Sequence, residues 1–207
     1  MRSINSGAEK RLSPISLKAH VLCKRHNNAL SPLDSIGLRL LRSFPNRRGD
    51  FVVRNPVLID GFDFQRWLLK LLCGGARSGN LQGPEGRFTD WQPPLKFLSV
   101  IFEGDTLPPG LGVYLLGAPY TTTPTFLTLS ALIGFQGGVL GLLFSLFGIT
   151  LAMLMGPPIG ELENLLKGAV YHPGGLNLNS GPRRAEIRFD WGTNELGSVA
   201  EAHDQTF

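Results

Sequence analysis

The stretch GGVLGLLFSLFGITLAMLM, residues 137–155, holds no charged side chain, and its reading decides the fold. Its length and hydropathy suit a membrane-spanning helix, which needs about 20 apolar residues. Its punctuation suits two strands. Glycines stand at 134, 137, 138, 141 and 148, the kind of residue that marks turns, bulges and close backbone approaches in sheets. Large and small residues alternate through Ile149-Thr150-Leu151-Ala152-Met153, a period of two. Strands covered on both faces also read as almost continuous apolar runs. Gly148 then falls at the turn of a hairpin with arms 139–147 and 149–155. No Lys/Arg cluster flanks the stretch; the nearest bases are Lys96 before it and Lys167 after it, whereas such clusters orient membrane helices. A buried hairpin is the expectation. A small membrane protein with one apolar span near residues 126–155 is the alternative.

Towards the N-terminus the period changes to that of helices. Phe64, Trp67, Leu68, Leu71 and Leu72 recur on one helical face, with Asp60 as the N-cap and Gly74-Gly75 as the stop. Leu-Ser-Pro-Leu-Asp at 30–34 predicts another helix start, with Ser31 at the N-cap, Pro32 at N1 and Asp34 facing the helix dipole. A short helix is expected from Pro94 to about Phe102, and residues 74–90 read as a long loop. Short strands are expected at Phe51–Arg54 and Val113–Leu116. Beyond the apolar stretch, Ala185, Ile187 and Phe189 alternate with Glu186, Arg188 and Asp190, a half-buried strand preceded by a turn at 179–182. The fold class is therefore α+β, a basic helical N-terminal part followed by a β-rich, Gly-rich C-terminal part. The expected divisions are a loosely ordered basic segment at 1–19, a mainly helical part at 20–106, a β-rich part at 107–191 and a flexible tail at 192–207.

A chain of 207 residues is long enough to bury a core without metals or disulfides. The net charge of +4 is unevenly spread. Residues 1–54 hold 11 Lys/Arg against 3 Asp/Glu, and the remainder holds 9 against 13. A basic end suits nucleic acid or an acidic partner, and equally a solvated face. Met1 to Leu22 shows no apolar signal region, which points to a cytoplasmic location with free or metal-binding thiols; the membrane is the alternative.

The segment with possible chemistry is His20-Val21-Leu22-Cys23-Lys24-Arg25-His26-Asn27-Asn28. A Cys-x-x-His pair, here Cys23 and His26, can offer thiolate and imidazole to one zinc ion, but a structural zinc takes four protein ligands. His20 is a candidate third ligand. Lys24, Arg25 and Asn27 flank the pair and are candidate contacts to nucleic acid or a partner. Arg66 and Lys70, four residues apart on one side of a helix, could touch a phosphate or an acidic neighbour, with a solvated face as the plainer reading. Trp67 lies on the apolar face and is expected in the core. His172, before Pro173, is expected at a turn or strand end. The chain holds no Gly-rich phosphate loop ending in Lys-Ser/Thr, no nucleophile elbow and no paired carboxylates in a helix.

LCKRHNNALSPLDSIGLRLLRSF (22–44) and IDGFDFQRWLLKLL (59–72) resemble segments of a group of uncharacterised bacterial proteins. Their N-terminal zinc-knuckle region is in turn similar to HNH endonucleases. GLGVY (110–114), AVYHPGGL (169–176) and AEIRFDW (185–191) resemble their β-rich C-terminal part, so the likeness runs from residue 20 to about 191. It implies an HNH-type site in which an upstream Cys-x-x-Cys and a catalytic His on a β-hairpin precede the block that Cys23, His26 and Asn27 match. There the His activates water and a divalent metal stabilises the leaving oxygen. Before Cys23 this sequence has one histidine, His20, and no cysteine. The expectation is a truncated or degenerate relative without nuclease activity, which binds nucleic acid or a partner weakly through its basic third. A metal-dependent nuclease remnant is a further alternative.

Overall fold

The computed structural model describes residues 23–44, 56–83, 86–87, 91–117, 127–134, 138–146, 148–158, 160–180, 183–192 and 199–202. Helices α1 (Lys24–Ala29) and α2 (Ser31–Ser43) lead into strand β1 (Val57–Asp60) and the long helix α3 (Gly61–Arg77). A two-residue ribbon, β2 (Gln82–Gly83) with β3 (Gly86–Arg87), precedes α4 (Leu95–Glu103). The C-terminal half runs β4 (Gly112–Leu115), β5 (Thr128–Ile133), β6 (Val139–Leu146), β7 (Ile149–Leu154), α5 (Glu161–Leu165), β8 (Val170–Tyr171), β9 (Gly175–Ser180), β10 (Arg183–Asp190) and β11 (Val199–Ala202). This is an α+β fold with helices towards the N-terminus and strands towards the C-terminus. The expected segment 1–19, the strand at 51–54 and His20 lie outside the described residues.

The apolar stretch folds as two strands. β6 and β7 pair antiparallel within a five-stranded sheet of order β5-β6-β7-β4-β8. Gly148 sits between them at φ +80°. Register explains the continuous hydropathy. Leu142 faces Met153, Phe144 faces Leu151 and Leu146 faces Ile149, and all six belong to the main core. The intervening pairs point the other way. Leu143 faces Ala152 and Gly141 faces Leu154, and Leu143, Ala152 and Leu154 pack with Leu116, Leu132 and Leu162 under α5. Both faces are covered, so neither can be polar, apart from Ser145 and Thr150, which hydrogen-bond each other at 2.9 Å. No described helix is long and apolar enough to cross a membrane, and the helical span expected as the alternative at 126–155 is replaced, where described, by β5, β6 and β7. Valine at position 148 would have to adopt a left-handed conformation costing a β-branched residue about 1–2 kcal/mol. Gly148→Val should therefore lower the urea midpoint by that equivalent, and an unchanged midpoint would remove the turn from this position.

The second sheet has the order β1-β10-β9-β11. β1 runs parallel to β10, with Val57 opposite Ile187, and β11 runs parallel to β9. β11 stands within residues 192–207, where the sequence predicts a flexible tail. Helix α3 joins the two sheets. Phe64 stacks on Phe189 of β10 at 5.1 Å, and Trp67 meets Phe144 of β6 edge-on at 5.6 Å. The Asp60 carboxylate caps α3 by accepting from the Asp63 N–H at 2.8 Å, as its spacing predicts. Two helix boundaries differ from expectation. Ser31 is the first residue of α2, and Leu30 takes the N-cap with no side-chain bond. The Gly74-Gly75 pair does not stop α3, which continues to Arg77. Gly75 is needed inside the helix, because a Cβ there would lie 2.7 Å from the buried Leu81 side chain.

Candidate functional site

Cys23 is the N-cap of α1, and every residue of α1 is exposed. The Cys23 Sγ lies 3.2 Å from His26 Nδ1. Cys-x-x-His spacing at a helix start does this, since residues three apart share a face. The His26 ring also meets Phe102 of α4 edge-on at 5.4 Å. Lys24, Arg25 and Asn27 project from the same turns. Both cysteines are free thiols. They differ sharply in chemistry: burial pushes the Cys73 thiol up to about 12, so Cys73 stays protonated and inert. Two ligands make half of a structural zinc site, and among the described residues no group of three or more His, Cys, Asp and Glu converges. The described residues alone do not complete a zinc site around Cys23 and His26.

Arg66 and Lys70 have other work. The Arg66 guanidinium pairs with Asp63 at 2.7 Å and donates to the Ile101 carbonyl at 2.9 Å. Ile101 lies in the last turn of α4, whose carbonyls have no partners within the helix. Lys70 Nζ meets both oxygens of Asp34 at 2.6 and 2.7 Å and reaches the Leu30 carbonyl at 3.4 Å. These bases tie α3 to α4 and α2. Each base thus meets an acidic neighbour, one of the two contacts expected of it.

A second constellation surrounds His172, directly after β8. Its φ of +46° makes it the one non-glycine residue with positive φ among those described. That conformation costs about 1–2 kcal/mol. Neighbours on all sides hold it there. The ring stacks between Tyr171 at 3.9 Å and Trp191 at 3.8 Å, with Phe62 edge-on at 5.9 Å. The His172 backbone N–H donates to the Val113 carbonyl at 2.9 Å, and Trp191 Nε1 donates to the Pro173 carbonyl at 2.9 Å. Desolvation pushes its pKa down to about 4, so the ring is neutral at pH 7. Gln65 of α3 approaches the same place with a side chain almost wholly buried, 2% exposed. The buried Gln65 Oε1 and His172 Nε2 have no hydrogen-bond partner among the described residues. Both close on the backbone of Gly112, where a Cβ would collide with Gln65 Oε1 and lie 3.0 Å from His172 Nε2.

His172 sits at a strand end, where the sequence puts it, but nothing local signals its partners. Phe62 and Gln65, Gly112, Tyr171 and His172, and Trp191 come from four separated segments. Comparison of the chain with protein-family models, with curated proteins and with solved structures finds no match.

Proposed function

We propose that the protein binds nucleic acid weakly and without sequence preference, through α1 and the basic segment around it. The observation that carries this reading is the exposed Cys23–His26 pair on a helix that also exposes Lys24, Arg25 and Asn27. These side chains suit phosphate oxygens, and α1 itself contains no acidic residue to oppose them. Any zinc held by Cys23 and His26 takes its remaining ligands from outside the described residues, for which His20 is the candidate. No cleavage step is assigned, because the reading includes no general base aimed at a phosphodiester.

Phosphate contacts release counterions, so affinity should fall steeply between about 50 and 200 mM salt. Fluorescence anisotropy on a labelled duplex and a labelled single strand tests this. The double variant Lys24→Ala/Arg25→Ala should flatten the slope of log K against log salt by up to about 2. Lys70→Ala should leave the slope unchanged, since its charge is already met by Asp34. Tight binding that ignores salt, or a slope unmoved in the double variant, would overturn the reading.

A further inference from the structure

We propose that Gln65 and His172 form a second binding site, independent of α1, which takes a neutral group that is hydrogen-bond donor and acceptor at once: a carboxamide or a hydroxyl. With the imidazole proton on Nε2, the two buried atoms supply complementary functions. Gln65 Oε1 accepts only. A neutral imidazole with its proton on Nε2 donates only from that atom. A group offering one donor and one acceptor side by side answers both. Leaving such atoms buried and unmatched costs about 1–3 kcal/mol each, and native interiors seldom tolerate it. A charged group is a poor occupant, because the same desolvation that keeps His172 neutral penalises any ion beside it.

The surroundings are built to hold the pair and to admit something to it. Tyr171, Trp191 and Phe62 fix the plane of the imidazole. The Gly112 backbone, at φ +137°, lies against both atoms, closer than any Cβ would allow. The loop carrying it also has Gly110 at φ +79°. Two phenols hold that loop down: Tyr114 donates to the Gly110 carbonyl at 2.8 Å and Tyr171 to the Leu111 carbonyl at 3.1 Å. In the open form that binding requires, rotation about the two glycines with release of those two bonds would bare Gln65 and His172. Tyr171 itself is 39% exposed at the rim.

The test uses the full chain with 15N- and 13C-labelled histidine and glutamine side chains. Acetamide and ethylene glycol are the neutral probes, with sodium acetate and ammonium chloride at matched ionic strength as the charged ones. The expected result is a saturable shift of the His172 Nε2 and Gln65 amide resonances with at least one neutral probe. The shift should be at least ten-fold weaker with the charged probes, and it should be lost in Gln65→Met, which keeps the length of the side chain and removes its acceptor. Acetamide acting alone identifies an amide occupant, and glycol acting alone a hydroxyl. Four outcomes overturn the proposal: resonances that no neutral probe moves, equal response to charged probes, a response retained in Gln65→Met, or a direct scalar coupling between His172 Nε2 and Gln65. If Gln65→Met does not fold, the wild-type titration and coupling measurement decide alone.

Discussion

Trp67→Ala is expected to destabilise the fold by about 3–5 kcal/mol, as loss of a large buried aromatic does. Trp67 is 6% exposed. Its ring stacks on Phe64 at 5.9 Å and meets Phe144 edge-on at 5.6 Å, so its loss opens a void between α3 and the five-stranded sheet. The site has little freedom to collapse. On the α2 side the indole rests on Gly37, where even a Cβ would collide with it. Gly37→Ala should therefore be destabilising too, from overpacking rather than a cavity. Urea denaturation followed by circular dichroism measures both, with exposed Lys24→Ala as the near-neutral control. Arg66→Ala, a change that a free surface residue would absorb silently, should cost about 1 kcal/mol through its bonds to Asp63 and Ile101. A Trp67→Ala midpoint equal to wild type would place the ring outside the core.

Acidification should weaken the protein through His172 by about 1–2 kcal/mol between pH 7 and pH 4.5. The native pKa is near 4 and the ordinary value is 6.5. Above 6.5 neither state binds the proton, and stability does not depend on this ring. As pH falls below 6.5 the unfolded chain takes up a proton that the native ring refuses, so stability drops until pH reaches about 4. The full gap corresponds to at most about 3 kcal/mol, and partial solvent access to the ring reduces it. Among the described residues the ring's neighbours Tyr171, Trp191 and Phe62 are all uncharged in acid and supply no compensating charge. Carboxylates elsewhere also titrate in this range, so the comparison is with His172→Asn. Asparagine tolerates positive φ and does not titrate. The difference between wild type and variant should shrink as pH falls, and a difference constant from pH 7 to 4.5 would refute the account.

Local chemistry was legible wherever one element decides its own form. Asp60 announces the α3 N-terminus, Gly148 the hairpin turn, and Ala185, Ile187 and Phe189 the inner face of β10. Gly74-Gly75 misled because a glycine needed for close packing on Leu81 looks the same in sequence as one that ends a helix. Arg66 and Lys70 were legible only in part. Helical spacing puts them on one side, but only the tertiary arrangement brings Asp34 and the Ile101 carbonyl to them. Cys23 and His26 were legible as a pair because three residues separate them. The His172 centre was not, since its rings and polar atoms are assembled across most of the chain, and each segment alone reads as ordinary strand, helix or turn.

The pairing of β1 with β10 sets an order of events during synthesis. Val57 lies opposite Ile187, so on the ribosome β1 waits unpaired while nearly all of the intervening chain is made. Throughout that interval Ile59, fully buried in the finished fold, and Phe64, which ends against Phe189, lack their final neighbours. The β6–β7 hairpin faces no such delay, because its arms are adjacent in sequence. Contacts distant along the chain close slowly, and exposed apolar surface in the meantime invites association between nascent chains. β1 and α3 are thus the elements whose apolar faces wait longest for their cover.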